Sequence, residues 1–473
     1  MMNENIEIFH QNQKESAGHI LVVSSHLQGH AAPLMKLSHK ITKYGIKVTF
    51  LTMDLTHARA AAESSDQLIG SWKQGLRIVS VPSGMEIEGG WRDQKKLHDR
   101  VQEVLPAYME DLLMQSQSQS KSQISGVIVD SPLTWMLPIP KKMGFKTAVY
   151  WCSNAACLAL GFKIPHLLQS KFIDADGTPL MKNETLKLLP NTPEMRATDV
   201  IWYFPSDKDM QKSMFHAIKD ICHYMSSGTA DWIIGNWFHH LDPSATAIAP
   251  NILPLGPLLA DGGPSAGSFC AEDSTCLTWL DNQPENSVVY VAFGSTSRFS
   301  QRQLDELAAG LELMGRPFLW VAWSGLTEGS STPAYSREFA ERVAGRGKMV
   351  EWAPQEAVLG HPATACFVTH CGWNSFVESV SNGVPVVCWP YFGDQMYTQR
   401  CACDGWKVGV RLEGAAADGI VSRDEIKRRV DEIVSNGLLR ENALRFKAMA
   451  TESIQEGGTS AINLNYLLQQ MKY

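Results

Sequence analysis

Short apolar segments alternate with longer amphipathic segments along the first half of the chain, and this alternation constrains the fold most. Residues 19–25, 47–52 and 76–81 are apolar and have the length of strands. Residues 32–44, between the first two, have the periodicity of a helix. Strands that alternate with helices favour a parallel sheet covered on both faces, because each crossover between parallel strands needs a long connection. The pattern therefore predicts an α/β fold.

The second half of the chain repeats this alternation after a break. Residues 261–268 are rich in Gly, Pro and Ser, which is typical of a linker. A strand-like segment over 287–293 follows the break. We therefore predict two facing, doubly wound domains, over residues 1–250 and 276–458, with a linker over 251–275. Parallel sheets bind ligands at the carboxyl ends of their strands, so we expect the site in the cleft between the domains.

The composition fits a globular protein and excludes several classes. The 473 residues are 44% apolar and 19% charged, which excludes a wholly disordered chain. The net charge of −7 argues against broad electrostatic binding of nucleic acid or of an anionic membrane. The sequence has no run of 18 apolar residues, no secretory signal and no zinc-type CxxC pair. We therefore expect a cytoplasmic protein without a membrane span.

Several common fingerprints are missing from the sequence. No G-x-G-x-x-G follows a strand-like segment, and there is no P-loop, H-E-x-x-H or G-x-S-x-G motif. Their absence disfavours a dinucleotide-dependent oxidoreductase, a P-loop enzyme, a zinc protease and a common hydrolase.

A turn in the second half has the features of a phosphate site. His370 lies at the end of a strand-like segment, and Gly372 lets the backbone approach a ligand closely before a helix begins. Free N–H groups at a helix start attract phosphate. Asn374 and Ser375 add side-chain donors at the same place.

Residues on either side of this turn suit the other parts of a larger ligand. Glu378 lies one helical turn further on, where a carboxylate can accept two ribose hydroxyls. Trp352 suits stacking on a planar base, and Gln355 suits its polar edge. Asp394 and Gln395 place a carboxylate beside an amide, which suits sugar hydroxyls. Each residue alone would be a core aromatic, a plain turn or a solvated charge, but their order across 44 residues indicates one extended ligand.

A histidine and an aspartate follow two strand-like segments of the first half. His30 opens the helix after residues 19–25, and Asp130 ends the segment at 127–129. Both are predicted at the carboxyl edge of one sheet, which suggests a dyad in which Asp130 orients His30. A helix N-terminus disfavours imidazolium, so we expect His30 to stay neutral and able to accept a proton. The alternative is that one histidine among 14 is incidental.

The stretch from Trp352 to Gln395 resembles, without a gap, the signature box of the plant-type UDP-dependent glycosyltransferases of family 1. Leu255-Gly256-Pro257 and Trp279-Leu280-Asp281 extend the resemblance over nearly the full chain. It implies the GT-B fold, with an N-terminal acceptor-binding domain, a C-terminal UDP-sugar-binding domain and a last helix, 459–473, that packs back on the first domain. The residues that it implies around the donor are Trp352 and Gln355 at the uridine, Glu378 at the ribose, Ser295, His370, Gly372, Trp373, Asn374 and Ser375 along the diphosphate, and Asp394 and Gln395 at the sugar.

The resemblance also implies the reaction. Gly29, His30 and Pro33 match the family's catalytic turn, so His30 is expected to be the general base of an inverting transfer, with Asp130 as its partner. Trp373 and Gln395 favour glucose, which makes UDP-glucose the expected co-substrate, with no metal and no other cofactor. Two alternatives are the same fold with xylose, galactose or rhamnose as donor sugar, and a non-catalytic UDP-sugar-binding protein. The second alternative predicts loss of His30 or Asp130, and both are present.

The sequence gives less information about the acceptor than about the donor. Trp135, Trp151 and Ser153 follow strand-like segments near Asp130, and Phe392 comes from the second domain. We expect these four residues to line a pocket for a flat apolar acceptor such as a phenolic, a flavonoid or a terpenoid, although aromatic residues there are as often part of the core. No nucleic acid partner is expected, and we expect a monomer.

Two residues depart from the family's pattern. His26 stands where proline or an aromatic residue is usual, and it is expected to be exposed rather than pocket-lining. Trp323 stands near a strand end where an arginine is common.

Overall fold

The computed structural model of the chain describes residues 18–53, 72–83, 94–118, 123–181, 183–260, 271–328, 334–414 and 419–472. The linker segment predicted at 261–268 lies outside these residues. The described residues form two domains, each built on one parallel sheet with helices on both faces.

The first domain contains a sheet of seven described strands in the order β3-β2-β1-β4-β5-β8-β9. Its central strands are buried along their whole length, as expected where helices cover both faces. Its strands and helices are, in chain order, β1 (His19–Val23), α1 (Gln28–Lys43), β2 (Lys47–Met53), β3 (Leu76–Val81), α2 (Gln94–Gln117), β4 (Gly126–Asp130), a 3₁₀ helix (Ser131–Met136), α3 (Pro138–Lys142), β5 (Lys146–Trp151), α4 (Ala155–Gln169), the antiparallel pair β6 (Thr185–Leu186) and β7 (Met195–Arg196), a 3₁₀ helix (Ala197–Asp199), α5 (Lys208–Ser226), β8 (Trp232–Gly235), a 3₁₀ helix (Ala245–Ala247) and β9 (Ile252–Pro254).

The second domain contains a sheet of six described strands in the order β12-β11-β10-β13-β14-β15. Counted from its own first strand, this is the order 3-2-1-4-5-6 of doubly wound nucleotide-binding domains. Its elements are α6 (Thr275–Asp281), β10 (Val288–Ala292), α7 (Gln301–Leu313), β11 (Phe318–Val321), α8 (Arg337–Val343), β12 (Gly347–Val350), α9 (Gln355–Gly360), β13 (Thr364–Thr369), α10 (Trp373–Ser381), β14 (Val386–Cys388), α11 (Gln395–Arg400), a π-helical turn (Cys401–Gly405), β15 (Gly409–Arg411), α12 (Arg423–Ser435) and α13 (Gly437–Ile454).

The predicted boundary of the first domain at residue 250 is wrong. Strand β9 pairs with β8 and completes the first sheet, so the domain continues to at least Pro254. Three apolar residues give β9 too weak a pattern to be separated from the linker by sequence alone.

The last helix, α14 (Thr459–Met471), lies against the first domain. Leu464, Leu467 and Met471 join the core on one face of the first sheet. The Asn463 side chain donates a hydrogen bond to the carbonyl of Pro254 at 2.9 Å, at the end of β9. This packing ties the C-terminus of the chain to the domain in which the chain began.

Candidate active site

Polar residues meet at the point where each sheet reverses its strand order. In a doubly wound sheet this point leaves a crevice at the carboxyl ends of the strands. In the first sheet it lies between β1 and β4, next to His30 and Asp130. In the second sheet it lies between β10 and β13, next to Ser295 and His370. A hydrogen bond from Ser153 of the first domain to Asp394 of the second joins the two crevices in one cleft.

His30 and Asp130 form a buried hydrogen-bonded pair. Nδ1 of His30 lies 3.0 Å from Oδ1 of Asp130, whose side chain is 0% exposed. The other carboxylate oxygen accepts a hydrogen bond from the backbone N–H of Ser25 at 3.1 Å. The pair forms because β1 and β4 are neighbours in register, so the turn after β1 reaches the last residue of β4. With Nδ1 engaged by the carboxylate, Nε2 is the nitrogen that can exchange a proton with a substrate.

The charge preference of His30 differs from the expectation. Burial opposes a charge on the ring, but the Asp130 carboxylate and the Cys152 thiol together raise the pKa of His30 well above 6.5. The prediction that the helix N-terminus keeps this ring neutral is therefore wrong, because a contacting buried carboxylate outweighs the partial charge of a helix end. The sulfur of Cys152 lies 3.4 Å from Nε2, where an acceptor hydroxyl would have to bind.

The turn after β13 is shaped around the His370 ring. A Cβ added at Gly294 would lie 2.7 Å from Nε2 of His370, and one added at Gly372 would lie 2.4 Å from the same atom. Cys371, inside the turn, has a φ of 66°, in the left-handed region that residues other than glycine rarely adopt. The ring is thus enclosed between two glycines directly before the free N–H groups of α10.

His370 is suited to contact a ligand as a neutral ring. It is 8% exposed, and burial lowers its pKa to about 4. Its Nδ1 has no hydrogen-bond partner among the described residues, and an unpaired buried polar atom costs free energy. A phosphoryl oxygen could accept a hydrogen bond from this ring, whereas the attraction of the turn for an anion comes from the helix N-terminus.

The residues predicted around the ribose and the base form one network. Nε2 of Gln355 donates to Oε2 of Glu378 at 2.7 Å and to the hydroxyl of Ser375 at 3.0 Å. The hydroxyl of Tyr290 donates to Oε1 of Gln355 at 3.3 Å. The network connects the start of α9 to the first two turns of α10. Trp352 is half-buried just before α9, beside this network in the chain.

Trp373 and Asn374 direct their side chains towards the first domain. The indole N–H of Trp373 donates to the carbonyl of Asn236 at 3.0 Å, and this side chain is almost fully buried. Asn374 donates to the carbonyl of Gly29 at 2.6 Å and accepts from Asn236 at 2.9 Å. The Trp373 indole is therefore a contact between the domains, and the backbone N–H of Trp373 lies at the first residue of α10, at the predicted diphosphate site.

Asp394 links the predicted sugar site to the predicted acceptor pocket. Its Oδ2 accepts a hydrogen bond from the hydroxyl of Ser153 at 2.6 Å. Burial raises the pKa of Asp394, while Ser153 and the charge of His30 oppose that rise. Gln395 is buried, and its side-chain oxygen accepts from the backbone N–H groups of Tyr391 and Phe392 at 2.8 and 3.0 Å. Gln395 therefore shapes the loop that presents Asp394.

The other three residues predicted at the acceptor pocket differ in burial. Trp151 is 2% exposed and donates to the carbonyl of Asn154 at 3.0 Å, which places it in the core of the first domain. Trp135 and Phe392 are half-buried. The indole N–H of Trp135 has no hydrogen-bond partner among the described residues. Trp135 and Phe392 are thus the two aromatic residues of this set that retain open surface.

The two residues that depart from the family's pattern lie in different places. His26 is half-buried after β1, so the expectation that it is exposed is wrong. Trp323 folds over Gly325, where an added Cβ would lie 1.9 Å from its ring. The Arg298 guanidinium lies 5.8 Å from the centre of the Trp323 ring, so an arginine does reach this strand end, from the loop after β10.

The sequence interpretation missed four residues of the cleft. Asn236 directly follows a buried strand, which is the signal that identified Asp130. Cys152 follows β5 in the same way. Lys36 and Glu356 carry no comparable signal, because one lies inside α1 and the other inside α9. Their positions in the cleft depend on how the two domains pack.

In the described ranges, no group of three or more His, Cys, Asp or Glu side chains is placed to hold a metal ion. No helix of the same ranges has the length and apolar character needed to cross a membrane.

Comparison with known proteins gives the family of the chain. Residues 254–453 match the family described as UDP-glucoronosyl and UDP-glucosyl transferase. UDP-glycosyltransferase 83A1 of Arabidopsis thaliana is 35% identical over 98% of both chains. Gallate 1-beta-glucosyltransferase 84A23 of Punica granatum is 31% identical over 97% of this chain and 92% of its own. Phytolacca americana UGT2, complexed with UDP-2fluoro-glucose and pterostilbene, superposes with a TM-score of 0.77 at 27% identity, over 97% of this chain and 100% of its own.

Two facing doubly wound domains with a nucleotide-type turn in the second define a GT-B glycosyltransferase. The chain belongs to the plant UDP-glycosyltransferases of family 1, and it is an enzyme that transfers a glycosyl group from a UDP-sugar.

Proposed function

We propose that this enzyme transfers glucose from UDP-glucose, with inversion, to a hydroxyl of a small apolar acceptor. The observation that carries the proposal is the hydrogen bond from Asn374, in the first turn of α10, to the carbonyl of Gly29, next to His30. It brings the base of one domain against the donor helix of the other. Relatives named as glucosyltransferases of gallate and cinnamate support glucose as the donor sugar and a small aromatic acceptor.

His30 acts as the general base and Asp130 as its partner. The acceptor oxygen gives its proton to Nε2 of His30 and bonds to the anomeric carbon, while the bond from that carbon to the UDP oxygen breaks and its electrons leave with UDP. Asp130 holds the tautomer that leaves Nε2 free and stabilises the imidazolium that forms. The α10 N-terminus and His370 stabilise the departing diphosphate.

Residues of the second domain hold the successive parts of the donor. Trp352 stacks on the uracil, Gln355 contacts the uridine and Glu378 accepts the ribose hydroxyls. Asp394 and Gln395 hold the glucose. Phe392 and Trp135 line the acceptor pocket. The indole N–H of Trp135, which has no partner among the described residues, can donate to a polar group of the acceptor.

Replacement of the base tests the mechanism. The variant His30→Ala should lower kcat by about 10²–10⁴, while calorimetry should find UDP affinity within about twofold of wild type, because the residues proposed to contact UDP lie on the other domain. Turnover that survives this substitution would remove His30 from the role of base.

Two screens test the substrates. A panel of UDP-glucose, UDP-xylose, UDP-galactose and UDP-rhamnose with one phenolic acceptor identifies the donor sugar, and faster transfer from a sugar other than glucose would contradict the proposal. A library of phenolics, flavonoids and terpenoids with UDP-glucose, analysed by mass spectrometry, identifies the acceptor class.

A further inference from the structure

A buried ion cluster crosses the cleft beside the proposed ribose site. Nζ of Lys36, from α1 of the first domain, lies 2.6 Å from Oε1 of Glu378 on α10 of the second domain. The same Nζ also contacts Oε1 of Glu356 on α9. The side chains of Lys36, Glu378 and Glu356 are 9%, 10% and 19% exposed. Burial of charged groups is costly unless they are paired, so one lysine facing two carboxylates is a specific arrangement and not a solvated surface pair.

The lysine carries its charge at every physiological pH. Burial opposes that charge, but the carboxylates of Glu378 and Glu356 outweigh it and raise the pKa of Lys36 above its ordinary value. The cluster therefore sets one positive group against two acidic groups. Burial raises the pKa of Glu356, Lys36 opposes that rise and the charge of Glu378 adds to it. Without the lysine, Glu378 and Glu356 would repel each other inside the cleft.

Each oxygen of Glu378 accepts one hydrogen bond in the cleft. Lys36 donates to Oε1, and Gln355 donates to Oε2 at 2.7 Å. These two contacts hold the carboxylate plane in one orientation. A carboxylate has about four lone-pair positions, so two remain for the two hydroxyls of a ribose.

We propose that Lys36 is a positioning residue for the donor: it reaches from the acceptor-binding domain to orient Glu378, so that both ribose hydroxyls of the UDP-sugar are accepted. The proposal rests on the role proposed above for Glu378. Lys36 does not touch the reacting atoms; it acts through the carboxylate. It makes ribose recognition a property of both domains.

The spacing of residues on the two helices supports this assignment. On α10, Asn374 and Glu378 are four residues apart and lie on one face, one turn from each other. On α1, Gly29 and Lys36 are seven residues apart, which is two turns along one face. The bonds Asn374–Gly29 and Glu378–Lys36 thus fasten α10 to α1 at two points. Since His30 lies next to Gly29, the helix that orients the ribose ligand also carries the proposed base.

The test compares nucleotides that differ in a ribose hydroxyl. Isothermal titration calorimetry measures Kd for UDP, 2′-deoxy-UDP and 3′-deoxy-UDP with the full chain. Wild type should bind each deoxy nucleotide about tenfold or more weakly than UDP, because a hydrogen bond to a charged group is lost. In Lys36→Met, UDP affinity should fall about tenfold, while affinity for the deoxy nucleotides falls little. The preference for UDP over the deoxy nucleotides should therefore be lost in Lys36→Met, as in Glu378→Gln. The double variant Lys36→Met/Glu378→Gln should bind UDP no more weakly than either single variant.

The outcomes separate this proposal from a merely structural role. If Lys36→Met weakens UDP and both deoxy nucleotides equally, or binds UDP as tightly as wild type, the positioning role is overturned. Lys142→Met, an exposed lysine on α3, is the matched control and should leave all three affinities unchanged. If Lys36→Met does not fold, Lys36→Met/Glu356→Gln keeps the net charge of the cluster and takes its place in the comparison. Wild type that binds none of the three nucleotides would instead contradict the proposed function.

Discussion

Replacement of Asp130 by asparagine tests the dyad most directly, because the structure shows what each carboxylate oxygen does. Oδ1 faces Nδ1 of His30 and Oδ2 accepts from the N–H of Ser25. An amide has one acceptor oxygen and one NH₂ group, so it cannot serve two donors. If the amide oxygen faces His30, the NH₂ group opposes the N–H of Ser25. If the amide oxygen faces Ser25, the NH₂ group donates to Nδ1 and the ring proton lies on Nε2. Nε2 then cannot take a proton from the acceptor hydroxyl.

The expected loss follows from the interaction that is removed. A hydrogen bond to a charged group contributes about 1.5–3 kcal/mol, which corresponds to roughly 10- to 150-fold in kcat if it is made only as the imidazolium forms. The pH profile should change as well. A base must be neutral to work, and Asp130 raises the pKa of His30, so the acid limb of wild-type kcat/KM should lie above pH 6.5. In Asp130→Asn that limb should move to lower pH while the plateau falls.

The measurement is kcat/KM against pH with UDP-glucose and the best acceptor. Asp231→Asn is the matched control, because Asp231 is partly buried in the same domain, paired with Lys141 and Thr147 just before β8, at the opposite edge of the sheet. It should lower stability without moving the acid limb. An Asp130→Asn enzyme with both plateau and limb unchanged would refute the reasoning.

Three further predictions concern the donor turn and its surroundings. Gly372→Ala should lower the free energy of unfolding by about 1–3 kcal/mol, because the added Cβ would overlap the enclosed ring of His370. Chemical denaturation should find most of this loss removed in a His370→Ala background, and an equal loss in both backgrounds would contradict the clash. Ser153→Ala removes a donor to Asp394 and should raise KM for UDP-glucose roughly fivefold without changing Kd for UDP, a split that fails if both constants move. Trp352→Ala should weaken UDP binding by about 1–2 kcal/mol, measured by calorimetry, through loss of stacking, and unchanged affinity would place the indole away from the base.

The order of local elements could be predicted from the sequence. Strands and helices differ in the period of their apolar residues, so elements such as β1, α1 and β10 are visible from spacing alone, to within a few residues. β9 was not visible, because three residues carry no period. The donor site was visible because its turn and helix are contiguous in the chain, and a signature box is by nature a local pattern.

The tertiary structure alone decided how distant residues meet. The sequence places Lys36 and Glu378 342 residues apart, on two helices whose contact depends on the packing of two domains. The same packing turned the Trp373 indole towards Asn236. It was also burial of Asp130 against His30 that reversed the expected charge preference of the ring. Local spacing specifies which element a residue belongs to, whereas charge, burial and partner depend on what the rest of the chain brings to that residue.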